Sequence, residues 1–435
     1  MYDLVIVGAG PGGSACAKIA AENGLKVLLL ERGRFPGEKN TSGATIWGEV
    51  AREVIPDFPH EDTPIQRVVD GYRMYWVPDP GPDWTAFSGA AKEKKYVDPL
   101  NVYRDEFDKW WAEQAVKAGA ELRTSTKIVN VLKQGTRVTG VVTETGEKLE
   151  GQITIGADGV NSIIARMSGL RMKWPATEAA LCVKYDWVMD EQTITERFGS
   201  GIEDGVLIEV YWGTQIAGSA GYFWIFPNRN SVSLGLGSLM SDYCQNHYNA
   251  HWFMWNAIEH PLVRDKLKGG KIREIHAHTI PLTDPMQGFI NASYGDGIMI
   301  VGDAAGFVDA FDGAGWYGAV KSGKLAAEIG IKAIEQGDTS AETLSRYQKK
   351  WSEGDIGKTL KIGKEMEMWL NHQMGINNLA QIISSYNSRA MAHPLDFSII
   401  QQQIPNLDKF AGAVRWGRFG LIPFLELFKS LFGGK

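Results

Sequence analysis

The first 31 residues combine two apolar runs with an intervening helical pattern. Residues 2–7 form a short run that is apolar from Leu4 onward, residues 26–30 form a second one that is apolar after Lys26, and residues 14–23 between them predict a helix that Gly24 ends. Continuous apolar runs of this length are typical of strands that are buried on both faces of a parallel sheet. The start of the chain therefore predicts a strand–turn–helix–strand unit.

Further along, two short strands end in turns rich in glycine and aspartate, at residues 152–155 and 297–301. Residues 51–99 contain several prolines and predict a loop-rich connection, and the chain after Ser340 is mainly helical in pattern. Residues 171–274 are rich in strand-like runs, which predict an antiparallel sheet. These runs are 181–188, 205–212, 221–226 and 231–237.

The turn after the first strand has the spacing of a dinucleotide-binding loop. Gly8 permits a tight turn, Gly10 lets the backbone approach a pyrophosphate, and Gly13 lets helix and strand pack closely. Pro11 lies inside this turn. Glu31 ends the second strand, 18 residues after Gly13, where a carboxylate accepts hydrogen bonds from ribose hydroxyls and disfavours a 2′-phosphate. The motif alone predicts a dinucleotide and does not separate FAD from NAD.

The two later turns each contain an aspartate flanked by small residues, in Gly156-Ala157-Asp158-Gly159 and Gly302-Asp303-Ala304-Ala305-Gly306. A carboxylate at the end of a strand can reach a ribityl or ribose hydroxyl, and small neighbours let the backbone come close. The simpler alternatives are a surface turn and, for Asp303, a helix cap.

In this order the three motifs resemble the fingerprints of the large FAD-dependent family that includes aromatic hydroxylases, geranylgeranyl reductases and electron-transfer-flavoprotein dehydrogenases. The resemblance covers roughly residues 1–350. It implies that Asp303 binds the ribityl chain, that the helix near 313–327 points its positive end at the flavin pyrimidine, and that Arg104 lies near the flavin or its pyrophosphate. The other cofactor-binding positions that it implies are Asp158, Gly159, Gly302, Gly313, Ala314 and Gly315.

The expected fold is α/β, with a discontinuous Rossmann-type FAD-binding domain, an inserted antiparallel sheet and a C-terminal helical region. The FAD-binding domain is expected in residues 1–50, 100–170 and 275–340. The inserted substrate or quinone domain is expected in residues 51–99 and 171–274, and residues 341–435 form the helical region.

Within this family, the segment from Glu31 to Gly43 resembles FixC and electron-transfer-flavoprotein:quinone oxidoreductases, as do residues 55–58 and 233–239. This resemblance adds Arg32, Ser42 and Gly43 to the expected cofactor site. It implies electron transfer from an electron-transfer flavoprotein to a lipophilic quinone, with a separate small ferredoxin as a further partner. Such chemistry needs a buried flavin and an apolar cleft, and no catalytic acid or base is identifiable.

Two other branches remain open. Residues 221–227 resemble the cavity motif of geranylgeranyl reductases, which saturate isoprenoid double bonds, although Ser42-Gly43 stands where many of them have Cys-Gly. A serine hydroxyl is a far weaker acid than a thiol. The same segment loosely resembles a halogenase pattern, which ranks a monooxygenase or halogenase third. A non-enzymatic flavin scaffold is the least favoured reading.

Composition and sequence pattern exclude some classes of partner and indicate where the protein is located. The net charge of −6 argues against a nucleic-acid binder. Three cysteines without a CxxC pair cannot ligate a four-cysteine cluster, and we expect no metal site. The N-terminus has no basic region of a signal peptide, and no apolar run is long enough to span a bilayer. We therefore expect a cytoplasmic protein, at most peripheral on the inner face of the membrane.

The last segment has an amphipathic helical pattern with basic residues close by. Such a helix can lie on a membrane surface, or it can dock on the protein's own core or on a subunit. Its apolar face consists of Leu421, Phe424, Leu425, Phe428, Leu431 and Phe432.

Deleting residues 419–435 should move the protein from the membrane fraction to the soluble fraction, with FAD still bound. Full burial of such side chains is worth about 1.5–3 kcal/mol each, of which an interfacial helix realises part. Liposome sedimentation and flavin absorbance measure the two properties. Loss of FAD or aggregation on truncation would assign the helix to the core or a subunit, and a full-length protein that never sediments would exclude the membrane.

Overall fold

The computed structural model describes residues 1–39, 44–77, 84–88, 99–171, 173–213, 221–282 and 292–371. The chain divides into two compact units. The first consists of Met1–Ile65, Val102–Ala179 and Thr279–Lys364. The second consists of Gln66–Asn101, Ala180–His278 and the described chain from Glu365 onward. Ser42, Gly43 and the predicted C-terminal amphipathic helix lie outside the described residues.

The chain begins with a strand–helix–strand unit, as the sequence predicts. The strands are β1 (Tyr2–Val7), β2 (Val27–Leu30), β3 (Ala44–Trp47), β4 (Ile65–Trp76), β5 (Trp84–Ser88), β6 (Pro99–Val102), β7 (Glu121–Arg123), β8 (Ile128–Gln134), β9 (Arg137–Thr143), β10 (Lys148–Gly156), β11 (Ala179–Val188), β12 (Val206–Trp212), β13 (Tyr222–Pro227), β14 (Ser231–Leu239), β15 (Lys271–Pro281), β16 (Tyr294–Gly295) and β17 (Ile298–Ile300). The helices are α1 (Pro11–Glu22), α2 (Gly48–Arg52), α3 (Arg104–Lys117), α4 (Ile163–Ser168), α5 (Glu191–Phe198), α6 (Met240–Gln245), α7 (Ala250–Glu259), α8 (Pro261–Leu267), α9 (Trp316–Glu335), α10 (Ala341–Glu353) and α11 (Asp355–Asn371).

The first unit is built on a sheet in which β17, β10, β1, β2 and β7 are parallel neighbours, in that order. Leu4 and Ile6 on one face of β1 pack in a core with α1, α3, α9 and α10. Val5 and Val7 on the other face pack against α4 and the β8–β9 hairpin. Because both faces are covered, β1 is continuously apolar and buried from Leu4 to Val7.

The sheet of the second unit follows the order β15-β11-β14-β13-β12-β4-β6, and β5 pairs with β4. The expected antiparallel sheet is present from β11 to β12, and β4 then joins β12 in parallel. The prediction of a loop-rich connection is wrong at β4. Arg67 and Arg73 interrupt its apolar pattern, and both form ion pairs with distant residues, at 3.2 Å to Glu191 and 3.0 Å to Glu209.

A buried carboxylate fastens helix α8 to the sheet of the second unit. Glu209 is fully buried and accepts hydrogen bonds from Lys266 Nζ at 2.8 and 2.9 Å. Tyr211 donates to the same carboxylate at 2.5 Å, and the Tyr211 ring stacks on Tyr75 with 4.3 Å between centroids. Together with Arg73, these groups satisfy a charge that would otherwise be costly to bury.

Replacing Glu209→Ala should lower the free energy of unfolding by about 2–4 kcal/mol, because Lys266 and Arg73 lose their buried partner while retaining some access to solvent. Chemical denaturation followed by circular dichroism measures this loss. The matched control is Glu144→Ala, which breaks an exposed pair with Lys127 and should cost below about 1 kcal/mol. Equal effects of the two substitutions would contradict a stabilising role for this cluster.

Candidate cofactor site

The glycine turn after β1 is crowded at two positions and open at the third. A Cβ atom at Gly13 would lie 1.9 Å from the carbonyl oxygen of Gly8, and one at Gly8 would lie 2.3 Å from that of Ala157. Gly8 also has a φ of +104°, which favours glycine. A Cβ atom at Gly10 would meet nothing within 4 Å. The turn therefore leaves open space in front of Gly10, where a phosphate group fits against bare backbone.

Helix α1 presents its N-terminus to this space. The helix begins at Pro11, Gly10 caps it without a side chain, and its first turn contains no acidic residue. The first N–H groups of a helix lack intrahelical partners and attract anions. Trp111 Nε1 donates to the carbonyl oxygen of Pro11 at 3.1 Å, which fixes the position of this first turn from α3.

Glu31 lies at the end of β2, beside the glycine turn. Its carboxylate accepts hydrogen bonds from the backbone N–H groups of Ala9 at 3.2 Å and Gly33 at 2.7 Å. A carboxylate in this place can also accept hydrogen bonds from a ribose, so its position agrees with the sequence-based expectation. Arg32, which follows it, is exposed.

Arg104 and Asp303 come close together although they are far apart in sequence. Arg104 begins α3 and forms two hydrogen bonds, each of 2.7 Å, with the fully buried Asp108. Burial lowers the pKa of Arg104, but the carboxylates of Asp108 and Asp303 outweigh it and hold the pKa above its ordinary value. The sequence pattern contains Asp108 four residues after Arg104, at ion-pair spacing on a helix, which could have identified this pair.

Asp303 also lies against the first turn of α9. A Cβ atom at Gly315 would come within 2.9 Å of Asp303 Oδ1, and Gly313 has a φ of +68°. The N–H of Gly302 donates to Ser322 Oγ in α9 at 3.0 Å. The structure thus brings the turn at Gly302 and Asp303 together with the segment from Gly313 to Gly315, as the family resemblance implies.

Asp158 is directed at helix α4. Its carboxylate accepts hydrogen bonds from Ser162 Oγ at 2.5 Å and from the N–H groups of Ile163 and Ile164 at 2.7 and 3.1 Å. Burial raises its pKa, against these hydrogen bonds. Gly159, with a φ of +74°, lies in the turn between Asp158 and α4. The carboxylate thus caps a helix, and its contact with a cofactor stays a prediction.

The turn between Asp303 and α9 contains two further carboxylates that the sequence analysis did not single out. Asp309 accepts a hydrogen bond from the N–H of Phe311 at 2.8 Å, and Asp312 accepts one from the N–H of Ala314 at 2.9 Å. Burial and the neighbouring Asp312 raise the pKa of Asp309 well above its ordinary value, and burial raises the pKa of Asp312 to about 6. Both shifts favour the protonated forms of these carboxyl groups.

Aromatic side chains occupy one face of strand β13 in the second unit. Tyr222, Trp224 and Phe226 are partly buried, and the alternate residues are fully buried. The Trp224 ring lies on the backbone of Gly235, where a Cβ atom would come within 2.0 Å of it. Trp316, at the start of α9, packs against Phe107 and Trp111 in the first unit.

The part of the chain that the structure describes has no helix long and apolar enough to cross a membrane. The same described residues include no cluster of three histidine, cysteine or acidic side chains that could hold a metal ion.

Comparison with known proteins identifies the class to which this fold and candidate site belong. The FAD-dependent oxidoreductase family model matches residues 3–200. The FixC protein of Bradyrhizobium diazoefficiens is 31% identical over 368 residues, which cover 84% of each chain. The FixC protein of Rhizobium meliloti is 31% identical over 378 residues, which cover 85% of each chain. The chain belongs to the FixC family of FAD-dependent oxidoreductases, and FAD is its cofactor.

Solved structures with the same fold come from several branches of flavoproteins. A geranylgeranyl bacteriochlorophyll reductase-like protein of Thermoplasma acidophilum has a TM-score of 0.76 and 23% identity, over 99% of this chain and 96% of that one. The flavin-dependent brominase Bmp2 has a TM-score of 0.67 and 21% identity, over 88% of this chain and 92% of that one. At these identities the similarity shows the fold alone.

Two alanine substitutions should separate the roles of the glycines. Gly10→Ala meets no protein atom but enters the open space, so it should weaken FAD binding about tenfold, or about 1.4 kcal/mol, with apoprotein stability unchanged. The Cβ atom of Gly13→Ala collides with backbone, so this substitution should lower both the affinity for FAD and the stability of the apoprotein. Fluorescence titration and denaturation of the apoprotein measure these changes. Wild-type FAD affinity in Gly10→Ala would exclude the open space as the phosphate site.

Proposed function

We propose that this protein accepts electrons from an electron-transfer flavoprotein and passes them to a lipophilic quinone. The observation that carries the proposal is the similarity to FixC proteins over 84% of the chain. The chain resembles FixC also in the segment from Glu31 to Gly43 that follows the first βαβ unit. The donor is then a protein flavin and the acceptor is a membrane-soluble small molecule.

In this proposal the first unit holds the cofactor from both ends. Backbone groups of the turn at Gly10 and the first turn of α1 bind the pyrophosphate, and Glu31 binds the ribose of the adenosine. Asp303 and Arg104 bind the other half, and the N-terminus of α9 favours negative charge on the flavin. When bound, FAD supplies reversible two-electron chemistry, and the protein supplies its position and its electrostatic surroundings.

A quinone takes up two protons together with two electrons, so its reduction requires groups that deliver protons. Asp309 and Asp312 support this requirement, because the pKa values of both carboxyl groups in the turn between Asp303 and α9 are raised, which favours their protonated forms. In the proposal, this pair donates one of the two protons to the acceptor and recovers it from solvent, and solvent supplies the second proton directly. Neither residue needs to act as a nucleophile.

The number and spacing of the cysteines bear on the proposed ferredoxin partner. Three cysteines without a CxxC pair cannot ligate a four-cysteine cluster. An iron–sulfur centre in the electron path would accordingly belong to a small partner protein.

Geranylgeranyl reduction is the second candidate, favoured by the aromatic face of β13 and its motif at residues 221–227. One solved structure with the same fold is that of a geranylgeranyl bacteriochlorophyll reductase-like protein from Thermoplasma acidophilum. In this alternative the apolar acceptor is an isoprenoid chain, and its double bonds are saturated. The two candidates share the cofactor and differ in the acceptor.

The loaded protein, once reduced by dithionite, should be reoxidised rapidly by a soluble quinone analogue, and a reduced electron-transfer flavoprotein should reduce it. Oxidation of NADH should be slow, because the sequence contains a single nucleotide-binding βαβ motif. Reoxidation should slow as the pH rises through about 6, where Asp312 loses its proton, and Asp312→Asn should remove this step. Stopped-flow absorbance measures all three rates.

Three other outcomes of these measurements would change the proposal. Fast NADH oxidation without a partner would contradict the proposed donor. Saturation of geranylgeranyl chains, with slow quinone reduction, would establish the second candidate. A pH profile that is the same in wild type and Asp312→Asn would remove the acid pair from the reaction while leaving the quinone proposal intact.

A further inference from the structure

Arg171 is a buried cation just after α4, at a position to which the sequence analysis gave no role. Its side chain is 2% exposed, which places it among the largest fully buried side chains of the described chain. Burial lowers its pKa to about 10, and Asp158 partly opposes this effect. A fully buried arginine is rare, because its charge loses hydration, and its contacts therefore need explanation.

The guanidinium group of Arg171 joins two segments that are distant in sequence. Its Nη2 donates to the carbonyl oxygen of Val160 at 3.0 Å, and its Nε donates to that of Ala304 at 3.0 Å. Val160 directly follows the Asp158-Gly159 turn, and Ala304 directly follows Asp303. One planar side chain thus contacts the backbone of both acidic motifs.

Trp174 reinforces this contact from the other side. The guanidinium lies over its ring at 4.2 Å, and Trp174 Nε1 donates to the carbonyl oxygen of Val160 at 3.0 Å. Stacking on an aromatic ring and donation in two directions at once require the flat, forked geometry of arginine, which lysine lacks. These contacts therefore require an arginine at this position, and packing alone does not account for it.

We infer that Arg171 is a positioning residue, which with Trp174 holds the two acidic turns at a fixed separation and so orients Asp303 for the cofactor. The arginine contacts main-chain carbonyl oxygens within the first unit, and none of these contacts requires a cofactor atom. Preorganisation of this kind reduces the ordering cost of binding. The inference concerns FAD binding alone and does not depend on which donor or acceptor the protein uses.

The test compares Arg171→Met with Arg166→Met. Arg166 lies in α4, and its two hydrogen bonds go to the carbonyl oxygens of Ser162 and Asn161 close by. Its replacement therefore removes a nearby charge but breaks no contact between distant segments. Arg171→Met should weaken FAD binding about tenfold or more. It should also change the visible circular dichroism of bound FAD and speed amide hydrogen exchange at residues 302–306 of the apoprotein. Arg166→Met should leave all three at wild-type values.

A solely structural role would lower the unfolding midpoint while bound FAD kept its wild-type dichroism, and this result would overturn the inference. So would equal effects of the two substitutions. Should Arg171→Met fail to fold, Arg171→Lys keeps the charge but reaches one carbonyl oxygen only. We expect this variant to show intermediate affinity and altered dichroism, and wild-type values in it would show that charge alone suffices, against the inference.

Discussion

The close approach of helix α1 to the sheet and to α9 is the constraint on which the rest of the first unit depends. Gly8 and Gly13 permit it at the turn, and a Cβ atom at Gly323 in α9 would come within 2.1 Å of the carbonyl oxygen of Gly12. Backbones packed at this distance leave no freedom for the helix to shift. The N-terminus of α1 is consequently fixed beside the ends of β1 and β10, and the open space at Gly10 follows from that geometry.

Buried charges in the two units are satisfied differently. In the second unit, Glu209 is neutralised by Lys266 and Arg73 and accepts hydrogen bonds from tyrosine hydroxyls, so it links strands to a helix. In the first unit, Asp158 accepts hydrogen bonds mainly from backbone N–H groups, and Arg171 donates to backbone carbonyl oxygens. A backbone partner cannot move away by changing rotamer, so these motifs keep their geometry. Such rigidity suits residues that must be in place before a ligand arrives.

The sequence was sufficient where function depends on local spacing. The βαβ unit, the glycine turn and both acidic turns could be predicted, because each lies within a few consecutive residues. Strand β4 was missed, since its arginines are neutralised by residues more than a hundred positions away. Arg171 was missed because one of its partners, Ala304, is 133 positions away, and a single arginine gives no periodic signal. The helix-capping role of Asp158 likewise depends on where α4 begins.

The proposed site therefore divides into two parts with different physical requirements. Its phosphate end would consist of backbone and glycine, so a short motif can specify it. Its flavin end would depend on side chains from α3 and from the turn at Asp303, which are far apart in sequence and whose charges influence one another. The Asp303 carboxylate helps to hold the pKa of Arg104 above its ordinary value, whereas Asp312 raises the pKa of Asp309. Carboxylates that are close in sequence can thus have opposite electrostatic surroundings, because one faces a cation and the others face each other.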